Sequence, residues 1–289
     1  MMETKPAAKF FEGEKWLVLT GLLGFLLAGL CALWIMLYGA EVSPEGDMSK
    51  AFSFNAALGI FLISTAAISP LSAMKARSRA FFRWSYIILA LYSYFAENVQ
   101  NFRGVNPRFV KDGSAFDIMV GSLFAFVALL LVLYYLFLAI QYFRRKAYNL
   151  RPELVLGIRY AMIATMLSFA AGIWISVNQG RFVGLHGNII WLHGLGFHAL
   201  QAVPLVAWLT ERTELAASVR RRWIHLTGIA YLLGLAAIGW QTLLGSSIME
   251  WSVLPLLACG CFLIAMASGA QMLLQSTKAR HRQSFSGRS

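Results

Sequence analysis

Eight apolar stretches, each about as long as a bilayer crossing, fill most of this 289-residue chain. A hydrocarbon core about 30 Å thick needs roughly 20 helical residues. The runs lie near 16–38, 52–74, 84–100, 117–143, 152–177, 188–209, 223–244 and 251–274. Hydrocarbon offers the backbone no water to bond, so each run must close its own N–H···O=C ladder, and helices are forced. Short linkers then predict an all-α fold: a polytopic transmembrane helix bundle of eight spans. It forms a single integral membrane domain over residues 1–289, with short polar tails at 1–15 and 275–289. Composition agrees, since 58% hydrophobic against 13% charged residues leaves too little polar surface to cover a soluble globule.

The net charge of +12 raises the question of nucleic acid until its location is read. Basic residues collect on alternate loops: Lys75, Arg77, Arg79 and Arg83, then Arg144, Arg145, Lys146 and Arg151, then Arg212, Arg220, Arg221 and Arg222. The tails belong to the same set, through Lys5, Lys9 and Lys15 at one end and Lys278, Arg280, Arg282 and Arg288 at the other. Opposite loops hold only Lys50, Arg103, Arg108, Lys111 and Arg181. The positive-inside rule therefore predicts both termini in the cytoplasm. The charge is an orientation signal with some attraction to anionic lipid; the bilayer is the partner it implies, and no nucleic acid is. The first span reads as a retained signal anchor, because its apolar part exceeds an h-region and its exit, Tyr38-Gly39-Ala40, sets a bulky residue where cleavage wants a small one.

Cys31, Cys259 and Cys261 all lie within spans, and the Cys-Gly-Cys spacing points its thiols about 200° apart on a helix, which suits neither a disulfide framework nor a zinc motif. Gly21, Gly24 and Ala28 in span one, and Gly228, Gly234 and Gly239 in span seven, predict close backbone approach. Pro204 removes a backbone donor inside span six and predicts a kink just beyond Gln201.

Ionisable groups in a bilayer are expensive and rank as functional candidates. Span six carries His193 near its outer end and His198 near its middle, with Gln201 three residues on and so on the face of His198. Neutral imidazole is the commonest metal ligand, and histidines of facing helices often hold membrane haems, so His186, His193 and His198 are the candidate metal ligands. Haem or a transition metal is the cofactor class they point to. Geometry restrains this reading: five residues separate His193 from His198, which is about 140° around a straight helix. The outer exits add Glu97, Gln100 and Arg103 after span three, Asp117 at the start of span four, and Asn178 and Arg181 after span five. The first and third of these sets both read as amides, then an arginine, then a glycine; span seven ends with a fainter echo, Trp240-Gln241-Thr242. No nucleophile–base signature, HExxH or many-histidine di-iron set is visible.

His193-x-x-Gly196-Phe-His198-Ala-x-Gln201-x-x-Pro204, with Asn178-x-Gly180-Arg181-x-x-Gly184 and Glu97-x-x-Gln100-x-x-Arg103-Gly104 before it, resembles a group of multispanning bacterial inner-membrane proteins of unassigned function. The resemblance covers roughly spans three to six. It implies a bacterial plasma membrane location and a single outer pocket gathering Glu97, Gln100, Arg103, Asp117, Asn178, Arg181, His193, His198 and Gln201 around a small-molecule ligand. Where relatives carry a histidine before a phenylalanine, this chain reads Pro107-Arg108-Phe109. A small-solute transporter, a membrane-embedded enzyme and a subunit packed against a protein partner stand as alternatives.

Overall fold

A computed structural model describes residues 9–110 and 113–286, with side chains to residue 280. The chain divides into two compact units, Met1–Gln141 and Tyr142–Ser289. One bundle is the sequence expectation; the division is invisible there because the boundary falls inside an apolar helix rather than in a polar linker.

Unit 1 runs α1 (Lys15–Tyr38), the hairpin β1 (Glu41–Val42) and β2 (Gly46–Asp47), α2 (Met48–Ile68) with a closing 3-10 turn at Ser69–Ser72, α3 (Ala76–Phe102) and α4 (Ala115–Phe143). Unit 2 opens on the single turn α5 (Arg145–Tyr148). It continues through α6 (Pro152–Val177), the hairpin β3 (Phe182–Val183) and β4 (Gly187–Asn188), α7 (Ile190–Thr210), α8 (Ala217–Leu243) and α9 (Val253–Ser286). Helix predominates, as the apolar runs predict, and α7 is unbroken through Pro204. Seven of the described helices are long and apolar enough to cross a membrane. The long helix outside that set is α3, whose first two turns carry Arg77, Arg79 and Arg83.

The two units repeat one plan: helix, two-residue hairpin, then three helices. Structural positions of the first unit correspond to those 141 residues later in the second across the hairpins and the third helices. Both hairpins pair antiparallel, Glu41 with Asp47 and Val42 with Gly46, Phe182 with Asn188 and Val183 with Gly187. Met48 N–H donates to the Ala40 carbonyl at 2.8 Å, and Ile189 N–H to that of Arg181 at 2.8 Å. Each hairpin tip is tied to the end of the third helix: Glu45 N–H donates to the Gly104 carbonyl at 2.8 Å, His186 N–H to that of Gly245 at 2.9 Å. Gly104 and Gly245 both stand at positive φ, +73° and +71°, where a Cβ is disfavoured.

At the opposite ends the units share a second device. Glu14, buried before α1, pairs with Arg79 and Arg83 of α3 at 3.4 Å each, and Glu153, in the first turn of α6, pairs with Arg220 of α8 at 3.2 Å. Burial pushes the Glu14 carboxyl above the ordinary glutamate value, outweighing the pull of Arg83 and Arg79. Ser72 and Thr213, a pair 141 positions apart, bond back to the carbonyls of Ser69 and Thr210 at 2.7 and 2.8 Å. Between these ends α1 and α2 pack through Gly21 and Gly59, where a Cβ on either would sit 2.8 Å from the other's carbonyl oxygen. Below them Phe61, Phe82, Tyr86 and Tyr135 form an aromatic core, with Phe61 and Tyr135 centroids 4.7 Å apart.

Candidate functional site

The nine pocket candidates fall four to unit 1 and five to unit 2. In unit 1, Glu97 is fully buried near the end of α3, and its carboxylate pairs with Arg108 at 2.8 Å. The Arg108 guanidinium lies over the Phe54 ring, 5.5 Å from its centroid. Asn101 donates to the Glu97 carbonyl at 2.7 Å and accepts from Asp47 N–H at 2.9 Å, joining α3 to the hairpin. Gln100 donates to the Asp117 carbonyl at 3.1 Å; its counterpart Gln241 donates to that of Ser247 at 2.9 Å. Asp117 accepts from Ser114 N–H at 3.0 Å and its hydroxyl at 2.6 Å, while Asp117 N–H donates back to that hydroxyl at 3.4 Å. This is a capping box at the start of α4, and Arg103 holds the same carboxylate through two bonds at 3.1 and 3.3 Å. Gln100, Arg103 and Asp117 therefore have a structural task in the α3–α4 connection.

In unit 2, Asn178 donates to the carbonyls of Gly180 and Phe182 at 3.1 and 2.7 Å, shaping the entry to the hairpin. Arg181 is exposed, its guanidinium 5.0 Å from the Phe182 centroid. His186 is exposed at the hairpin tip. His193 is half-buried: its Nδ1 lies 2.7 Å from the Ser168 carbonyl of α6, its ring packs edge-on to Phe197 at 4.9 Å, and Ser168 Oγ donates to the His193 carbonyl. Gly172 makes room for this ring, since a Cβ there would meet the imidazole at 2.9 Å. His198 is exposed in mid-helix, its Nδ1 3.2 Å from Gln201 Oε1, as the three-residue spacing predicts. A backbone carbonyl only accepts, so the His193 imidazole donates to Ser168 through Nδ1. His225 partners the Tyr160 hydroxyl at 2.8 Å. Among the described residues no three His, Cys, Asp or Glu side chains converge as a metal-holding group.

Sequence reasoning misses a buried polar knot in unit 1. Asn55 of α2 and Asn98 of α3 bond reciprocally at 2.8 and 3.0 Å, and the Cys31 thiol of α1 donates to Asn98 Oδ1 at 3.4 Å. An asparagine inside each of two apolar runs is the signal that could find it. The corresponding positions of unit 2 are Gly172, Gly196 and Gly239. The exit of α3 matches that of α8, not that of α6; the amide–arginine–glycine likeness of the α3 and α6 exits is a likeness of composition only. No family model, curated protein or solved structure matches the chain. Seven apolar helices in an all-α chain suit a multi-pass helical membrane protein.

Proposed function

We propose that this chain is an eight-span protein of the bacterial inner membrane, both termini cytoplasmic, which binds a small ligand or cofactor of the haem or metal class at α7 through His193 and His198. The observation that carries the reading is the state of the two imidazoles. His193 Nδ1 donates to the Ser168 carbonyl and His198 Nδ1 faces the Gln201 amide, which makes Nε2 the ligating nitrogen of each ring, the arrangement in which ligating histidines are commonly oriented. Their angular separation of about 140° around the helix keeps both imidazoles from one ion, so a bound group takes a single axial imidazole, that of His193 or that of His198. The eighth span is α3: it occupies in unit 1 the place that α8, which is long and apolar enough to cross, occupies in unit 2.

Purified protein in mild detergent tests the cofactor reading by iron, copper and zinc content with a visible spectrum. About one metal atom per chain, as a single axial site requires, lost in His193→Ala or His198→Ala, supports it. Metal-free protein with a featureless visible spectrum refutes it. A second reading, a small-solute transporter, is favoured by the repeat itself, because two even-numbered units of one plan resemble the parallel repeats from which some transporters are built. Solute uptake by reconstituted vesicles distinguishes it.

A further inference from the structure

An open groove of about 360 Å³ runs along unit 1 between α1 and α3. Its wall on α1 extends from Leu27 to Tyr38, a helical rise of about 16 Å at 1.5 Å per residue, which is half of a hydrocarbon core about 30 Å thick. The groove is thus one leaflet deep, on the hairpin side. Leu30, Leu33 and Leu37 line it, and Trp34 packs edge-on to Phe102 with ring centroids 5.0 Å apart.

The floor holds Cys31 and Asn98, whose bonding capacity is already used. Asn98 Oδ1 accepts from Asn55 and from Cys31, and its amide nitrogen donates to Asn55 at 3.0 Å and to the Tyr94 carbonyl at 2.7 Å. A polar guest would find no donor or acceptor there and would lose its own hydration, so the groove selects hydrocarbon. Beyond Tyr38 the hairpin exposes Glu41 and Glu45, while its third carboxylate, Asp47, pairs with Lys50 at 3.3 Å. Two exposed carboxylates at the mouth complement a cation. Unit 2 carries Phe182 and His186 at these hairpin positions, so the acidic mouth belongs to unit 1 alone.

We propose that the groove holds one hydrocarbon chain of a membrane lipid with an amine-bearing headgroup, its ammonium set against Glu41 and Glu45. This rests on the membrane reading of the chain. Full-length protein, washed free of lipid in detergent and offered equal amounts of phosphatidylethanolamine and phosphatidylglycerol, is assayed by native mass spectrometry. One tightly held phosphatidylethanolamine is expected. Leu30→Trp, which fills the groove from a half-exposed position, abolishes retention, as does the milder Leu33→Phe, with both variants melting as the parent does. The pair Glu41→Gln and Glu45→Gln keeps a lipid but loses the headgroup preference. Undiminished retention in both groove-filling variants, a preference for phosphatidylglycerol, or a lipid-free parent overturns the proposal. Recovery of the parent chain outside the membrane fraction would instead overturn the membrane reading beneath it.

Discussion

Replacing Gly104 by alanine should destabilise the protein more than the same change at its counterpart Gly245. Both residues have positive φ, a conformation that costs an L-residue roughly 1–2 kcal/mol. The difference lies in what the new methyl meets. At Gly104 it would stand 2.0 Å from the Ser43 carbonyl oxygen, a clash only backbone movement can relieve; at Gly245 the nearest atom is Gly184 Cα at 3.1 Å. Overpacking adds about 1–3 kcal/mol, which puts Gly104→Ala near 3 kcal/mol and leaves Gly245→Ala near the conformational cost alone. At roughly 2–4 °C per kcal/mol, the melting point should fall by about 6–12 °C for the first and about half that for the second. Intrinsic tryptophan fluorescence during heating in detergent reads this. Gly29→Ala supplies the control: no atom lies near its methyl, and Gly29 sits inside α1, so a change of zero or a gain of about 0.5–1 kcal/mol is expected. An unchanged melting point for Gly104→Ala, or a larger drop at Gly245, would refute the idea that the tie between hairpin and third helix is tightest in unit 1.

Ser114→Ala removes the capping box of α4 and should cost about 1 kcal/mol, seen as a lower melting point with membrane insertion intact. Glu97→Ala strands Arg108 against the end of α3 and should cost about 2 kcal/mol, below the 3–5 of a fully buried pair because Arg108 is a third exposed. Adding Arg108→Ala should then recover part of the loss, and simple additivity of the two single changes would deny the pairing. For Glu14, whose carboxyl is held above its ordinary value by burial, the folded state binds the proton more tightly than the unfolded. Its contribution is present below the unfolded value and lost as pH rises through the folded one. Glu14→Gln should flatten that acid-side slope in a pH series of melting points, and an unaltered slope would show that another group sets it.

Apolar run length locates α1, α4 and α6 to within two residues of each end, because charged residues are too sparse within them to break the run. The start of α3 is read eight residues late: Arg77, Arg79 and Arg83 depress a hydropathy window, yet Arg79 and Arg83 are what Glu14 requires. The hairpins escape notice because two-residue strands leave no alternating pattern. The repeat escapes because main-chain bonds carry it, with few identical side chains beyond Gly46, Gln100, Gly104 and their partners. At the candidate site the His198–Gln201 contact follows from helical spacing alone. The tasks of Asp117 and Asn178 depend on loop geometry that no spacing reveals, and the Ser168 partner of His193 lies on another helix.

Since amide-to-carbonyl bonds secure each hairpin against its third helix, side chains elsewhere along the helices are left to differ between the units. The units differ at three matched positions: side-chain bonds join Cys31, Asn55 and Asn98 in one, whereas in the other Gly172 admits the His193 ring, Gly196 packs directly on Ala164 and Ser168 of α6, and Gly239 faces Leu192. One half of the molecule joins its helices at these places through amide side chains; the other lets neighbouring helices and an imidazole ring close in directly.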